Sequence, residues 1–191
     1  MIKGIFVHHT AVSWQKNPRQ WPATDAYHAE KGWGGGGYNM EIAADGEVHT
    51  FRKDGQSTAA QYVVDSSKPF WRTNLNDGNF LSIALDGNFD VEEPTDEQVM
   101  SLWDLLYAKM EKYGLSRDQI YTHSLVSYKT CPGKLIGPDV YGYLEVRHAE
   151  IWARKHGIIT TSKKPYEPIL WGPFLVVLYR ATKKILEWAR K

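Results

Sequence analysis

The chain of 191 residues holds one cysteine, inside Lys129-Thr130-Cys131-Pro132-Gly133, eight residues after His123. A thiolate with imidazoles nearby is a soft, compact donor set that suits zinc. Two more imidazoles lie near the start, in Ile5-Phe6-Val7-His8-His9-Thr10. In a strand His8 and His9 point to opposite faces, so only one of them can look into a site shared with His123 and Cys131. Three such donors meeting in space leave the fourth position of a tetrahedral zinc open. That is the layout of a hydrolase rather than of a closed structural site. The other histidines read as structural: His28 as a packed helix residue, His49 as half-buried in a hairpin strand, His148 and His156 as solvated.

The elements that must position these donors follow from local pattern. Residues 4–8 form a short apolar run expected as a buried strand. A helix is expected over residues 23–32, starting at Ala23 or Thr24 and ending at Gly32. The four glycines Gly34 to Gly37 read either as a flexible turn or as backbone passing close to a ligand. Asp45-Gly46, between residues 38–44 and 47–52, is a hairpin signal. Residues 53–79 show no period and read as a long surface excursion, which at that length is often functional. Residues 80–86 read as a central strand. Thr95 and Gln98 form a capping box at the head of a helix over residues 95–113. Its apolar stripe is Val99, Leu102, Leu106, Met110 and Tyr113, and Gly114 is its natural stop. A strand over 119–123 ends at His123, and residues 139–156 read as a helix. Together these predict an α/β domain over residues 1–156, a central mixed β-sheet flanked by helices. The site is expected beside the carboxyl ends of the strands.

Hydrophobic residues make up 42% of the chain and aromatic ones 13%, enough for a packed core. The net charge of +1 argues against a polyanion partner, nucleic acid included. The average hides an asymmetry: residues 152–191 carry +7 and residues 1–151 carry −6. One cysteine rules out an internal disulfide framework. No signal-peptide pattern follows Met1-Ile2-Lys3, so a protein made in the cytoplasm is expected. The apolar run 169–179 is about half the length that spans a bilayer. Residues 157–191 are expected as a basic extension, with a helix over 174–191. Phe174, Leu178, Ala181, Ile185 and Trp188 share one face; Arg180, Lys183, Lys184, Glu187 and Lys191 share another. Such a helix suits an anionic membrane or envelope lipid surface, or it packs its apolar face on the domain.

One ordered set of motifs runs from residue 4 to about residue 145. It comprises Phe6-Val7-His8-His9-Thr10-Ala11, Gly32-Trp33, Gly37-Tyr38-Asn39, Asp45-Gly46, Ser82-Ile83-Ala84-Leu85-Asp86-Gly87-Asn88-Phe89, Pro94-Thr95-Asp96-Glu97-Gln98, His123 and Lys129-Thr130-Cys131-Pro132-Gly133. In that order it resembles the zinc-dependent N-acetylmuramoyl-L-alanine amidases of the type 2 family, which include phage lysozyme-type endolysins and peptidoglycan recognition proteins. The resemblance implies an α/β domain with one zinc in a surface cleft, held by His8, His123 and Cys131. It implies Tyr38 as the catalytic tyrosine and Lys129 as the lysine of the phage lysozyme-type members. It also implies bacterial peptidoglycan as substrate, cut between N-acetylmuramic acid and L-alanine. Some relatives only bind peptidoglycan, having lost a zinc ligand; Cys131 places this chain with the catalysts. Without the family, Tyr38 reads as a core aromatic and Lys129 as a solvated charge.

The chain departs from the pattern in three places, one of them after His123, where many members carry an Arg or an acidic residue and this chain has Ser124-Leu125. Many members carry an Ala-His pair before the central strand, where this chain has Ser57-Thr58-Ala59-Ala60 and no histidine. Residues 61–79 are longer than usual. The leading expectation is a phage-type endolysin, kept in the host cytoplasm and acting on the wall after release. The alternatives are a cytoplasmic amidase that recycles muropeptides, a peptidoglycan-binding module without catalysis, and a membrane-active antimicrobial protein.

Overall fold

The computed structural model describes residues 1–158, 176–180 and 182. The chain divides into two compact units, Met1–Tyr141 and Gly142–Lys191. Five strands form one sheet in the first unit: β1 Gly4–His9, β2 Met40–Ile42, β3 Val48–Thr50, β4 Phe80–Leu85 and β5 Ile120–Thr122. Their order is β3-β2-β4-β1-β5, with β1, β2, β4 and β5 parallel and β3 antiparallel to β2. The sheet is therefore mixed, as the sequence predicts. Every residue of β1 and β4 is buried, the mark of strands covered on both faces.

Helix α1 spans Trp21–Glu30, two residues earlier than expected. Pro22 explains the early start: its fixed φ suits the first turn, where a missing N–H costs nothing. Helix α2, Asp96–Tyr113, has the expected capping box between Thr95 and Gln98 and ends on Gly114 in the left-handed conformation. Its residues Val99, Leu102 and Leu106 are buried. Gln98 does more than cap, since its Nε2 donates to the carbonyls of Asp86 at 2.8 Å and Ile42 at 3.2 Å. It thus ties the head of α2 to the carboxyl ends of β2 and β4. In the hairpin Gly46 turns at φ +83°, as its motif requires. Helix α3 runs Val140–Lys155.

The excursion over 53–79 forms no regular element, yet it is not only surface. Leu75 is buried with Phe6, Phe80 and Val126, and Phe70 packs edge-on against Phe6, Phe80 and Tyr121. Pattern reading misses this because a loop that covers a sheet face needs only two or three apolar anchors.

Two acids are buried where β2 and β4 meet. Glu41 is 1% exposed and Asp86 fully buried. Glu41 Oε1 accepts from Thr24 Oγ1 at 3.1 Å, and Asp86 Oδ2 accepts from the Gln20 amide at 2.6 Å. Among the described residues no donor reaches the remaining oxygens, Glu41 Oε2 and Asp86 Oδ1. Burial, then the Asp86 charge and its hydrogen bond, push the Glu41 carboxyl far above its ordinary range, and burial raises Asp86 as well, so the pair holds one proton that the unfolded chain would release.

In the second unit Val176 packs with Ala149 and Ala153, with Trp152 and Tyr179 beside them. Residues 176–180 are helical and Arg180 Nε donates to Glu145 at 2.8 Å. The rest of the expected helix over 174–191, with most of its basic face, lies outside the described residues. His148 is buried against Tyr179 rather than solvated. The helix period hides this, because a partner far along the chain covers that face.

Candidate metal centre

The site is assembled at the carboxyl ends of two adjacent parallel strands. Val7 of β1 pairs with Thr122 of β5, which sets the next residues, His8 and His123, side by side. Their ring centroids are 4.7 Å apart. After β5 the chain makes a short turn and loops back, held by the Ser124 amide donating to the Cys131 carbonyl at 2.7 Å. Asp90 clamps the same loop from the other side, accepting from Thr130 Oγ1 at 2.7 Å and from the Lys134 amide at 2.9 Å. Gly133 lets the loop close: a Cβ there would lie 2.5 Å from the backbone of Phe89, and its φ is +118°.

The result brings donor atoms of His8, His123 and Cys131 within 4.8 Å of one another, all three buried. The His8 Nδ1 to Cys131 Sγ distance is 3.8 Å. Zinc bond lengths of ~2.0–2.3 Å at tetrahedral angles separate donors by about 3.3–3.8 Å, so this pair fits the ion. His9 turns to the other face, where its Nδ1 accepts from the Phe89 amide at 3.2 Å. Its backbone N–H still serves the site, donating to Cys131 Sγ at 3.3 Å.

The electrostatics favour metal ligation. Burial, then the neighbouring His123, hold His8 well below the usual imidazole range. Burial and Lys129 push His123 down to about 4. Both rings are therefore neutral, with lone pairs free for a metal. Burial pushes the Cys131 thiol up to about 12, so a thiolate here needs a cation beside it. A divalent soft cation is the group that these donors fit.

Tyr38 is buried beside these donors, with its ring 5.3 Å from that of His8. Asn39 locks this segment to β4: its amide donates to the Ser82 carbonyl and its side-chain oxygen accepts from the Ser82 amide, both at 2.8 Å. His28 is packed as expected and accepts from the Gly37 amide at 3.0 Å. Burial, then the nearby Cys131, raise the Tyr38 hydroxyl, which stays protonated. Lys129 is exposed at the rim, and its charge depresses His8, His123 and Cys131 together. The glycine run proves to be a packing device in part. A Cβ on Gly36 would strike the Phe51 ring at 2.2 Å, and one on Gly37 would meet Trp33 at 2.8 Å. It also borders an open cavity of about 500 Å³ lined by Asp25, Phe51, Arg52 and Gln56.

Sequence reading misses one neighbour of the donors. Gln61 is buried, and its side-chain oxygen lies 3.4 Å from His8 Nε2. No local signal marks it, since it stands 53 residues from its partner.

The model of the N-acetylmuramoyl-L-alanine amidase family matches residues 1–134. Among solved structures, the chain is similar to the endolysin N-acetylmuramoyl-L-alanine amidase LysCS of Clostridium intestinale URNW. Identity is 28%, coverage 69% of this chain and 75% of that one, and the TM-score 0.56. The amidase LysC of the same organism aligns at 25% identity over 77% and 85% of the two chains, with TM-score 0.60. Drosophila peptidoglycan recognition protein SA aligns at 26% identity over 70% and 74%, with TM-score 0.55. No curated protein matches. The chain belongs to the N-acetylmuramoyl-L-alanine amidase family, and it is an enzyme of that class.

Proposed function

We propose that this amidase is a phage-type endolysin: a zinc-dependent hydrolase that cuts the amide bond between N-acetylmuramic acid and L-alanine in bacterial peptidoglycan and so lyses the host. The observation that carries the reading is the convergence of His8, His123 and Cys131 at one buried point. His8 through Nδ1, His123 and Cys131 would hold one zinc. Bound there, the ion polarises the scissile carbonyl and lowers the pKa of a water to about 7. The protein's own groups do the rest. Tyr38, kept protonated by burial, donates a hydrogen bond to the reacting oxygens and can relay a proton, taking one from the attacking water as it hands its own to the leaving amine, so that its hydroxyl is restored. The Lys129 ammonium, at the rim, faces the negative charge that develops on the carbonyl oxygen. The His9 amide spreads part of the Cys131 charge.

In this reading the protein stays in the host cytoplasm until the membrane opens. The +7 charge of residues 152–191 then favours anionic envelope lipid. Mass spectrometry of fragments released from defined peptidoglycan tests the reaction, since free L-alanine amino termini on intact stems identify the bond. Clearing of peptidoglycan suspensions is expected to stop with EDTA and return with zinc. Full activity after verified metal removal would refute the metal mechanism.

A further inference from the structure

We infer that Gln61 is a positioning residue for His8: it holds the imidazole as the Nε2–H tautomer and so presents the Nδ1 lone pair to the metal. The inference rests on the reading of His8, His123 and Cys131 as a metal site.

Chemistry alone fixes which way the Gln61 amide points. The Leu75 carbonyl lies 2.7 Å from one end of that amide. A carbonyl only accepts, so that end is the Nε2 donor. The other end, facing His8 Nε2 at 3.4 Å, is then the oxygen. An amide oxygen also only accepts, so His8 Nε2 carries the hydrogen and Nδ1 keeps its lone pair. Nδ1 is the atom that lies 3.8 Å from Cys131 Sγ, on the side where the donors converge.

Gln61 has little freedom to do otherwise. It is 1% exposed. Its main chain is gripped at both polar groups by Asn76: the Gln61 amide donates to Asn76 Oδ1 at 3.2 Å, and Asn76 Nδ2 donates to the Gln61 carbonyl at 2.8 Å. Thr58 Oγ1 adds a bond to the same Asn76 oxygen at 3.0 Å. Leu75, which supplies the orienting carbonyl, is a core residue against Phe6 and Phe80. The excursion that looks structureless in sequence is thus a rigid strut between the hydrophobic core and one metal ligand. An outer partner of this kind fixes ring orientation and raises ligand basicity.

Two measurements on the full chain test this. In metal-free, nitrogen-15-labelled protein, imidazole resonances report the tautomer directly. Wild type is expected to show His8 protonated at Nε2, with that proton slow to exchange. Gln61→Met, of equal length but with no acceptor, is expected to lose the slow proton. Zinc titration by competition with a chromophoric chelator is then expected to show about 10–100-fold weaker binding for Gln61→Met. Gln61→Glu, whose buried carboxyl keeps its proton to donate to the Leu75 carbonyl and still turns an acceptor oxygen to His8, is expected to retain the slow proton and bind zinc within a few-fold of wild type. Circular dichroism checks that both variants fold. A metal-free wild type protonated at His8 Nδ1 would overturn the assignment on its own. So would Gln61→Met and Gln61→Glu binding zinc alike. Failure of wild type to bind zinc at all would instead sink the metal site, and this inference with it.

Discussion

Glu41→Gln isolates the buried acid pair. In the folded chain Glu41 holds a proton well above its ordinary value of 4.5, because burial and the adjacent Asp86 penalise the second charge. The unfolded chain releases that proton near the ordinary value. A raised folded pKa means stability is fully present below the unfolded value and declines as pH rises toward the folded one. With one proton bound only in the folded state, the slope is about 1.4 kcal/mol lost per pH unit. The clean window is pH 7.5–8.5. The histidines His8, His9, His28 and His123 are all lowered from their ordinary 6.5, so they are neutral there in both states. Cys131 starts to contribute only as pH approaches its unperturbed 9.0. A glutamine at 41 offers Asp86 an amide donor, accepts from Thr24 and does not titrate. Urea unfolding of metal-stripped protein should therefore show wild type losing about 1.4 kcal/mol across the window. That is a midpoint shift of roughly 0.5 M or more at usual m-values. Glu41→Gln should stay nearly flat. Parallel slopes for the two proteins would show that Glu41 is ionised in the fold and refute the shared proton.

Cys131→Ala should abolish zinc binding and hydrolysis together, since it removes a direct ligand where even an outer partner costs about 10–100-fold in affinity; metal analysis paired with fragment release checks this. Tyr38→Phe should keep zinc and lose about 10²-fold or more in kcat, the usual scale for a positioned proton donor. Lys129→Ala should likewise keep zinc and lose about 10²–10³-fold in kcat, and full rate in either would remove that residue from the mechanism. Deleting residues 165–191 should weaken killing of intact cells more than hydrolysis of purified peptidoglycan. Because Val176 covers Ala149 and Ala153, a lowered Tm is also expected, and equal loss in both assays would assign the segment to packing.

Much of the scaffold was legible from local chemistry. The Thr95/Gln98 box and Gly114 bound α2 to the residue, because caps satisfy helix ends through neighbours three or four positions away. Asp45-Gly46 announced the hairpin for the same reason. The donors themselves were readable as types: a lone cysteine near a histidine, and a histidine pair whose alternation allows only one member inward. Other features depend on contacts between distant residues and left no local trace. Parallel pairing of β1 with β5 is what sets His8 against His123, and it joins residues more than a hundred positions apart. The choice of Nδ1 on His8 depends on Gln61, and Gln61 depends on Leu75 being pulled into the core. The shared proton of Glu41 and Asp86 exists only because two strands bring both acids to one dry place. Composition and spacing thus determine which atoms are available for chemistry. Burial and register decide their protonation, their orientation and which of them meet, because dielectric and distance are properties of the packed molecule alone.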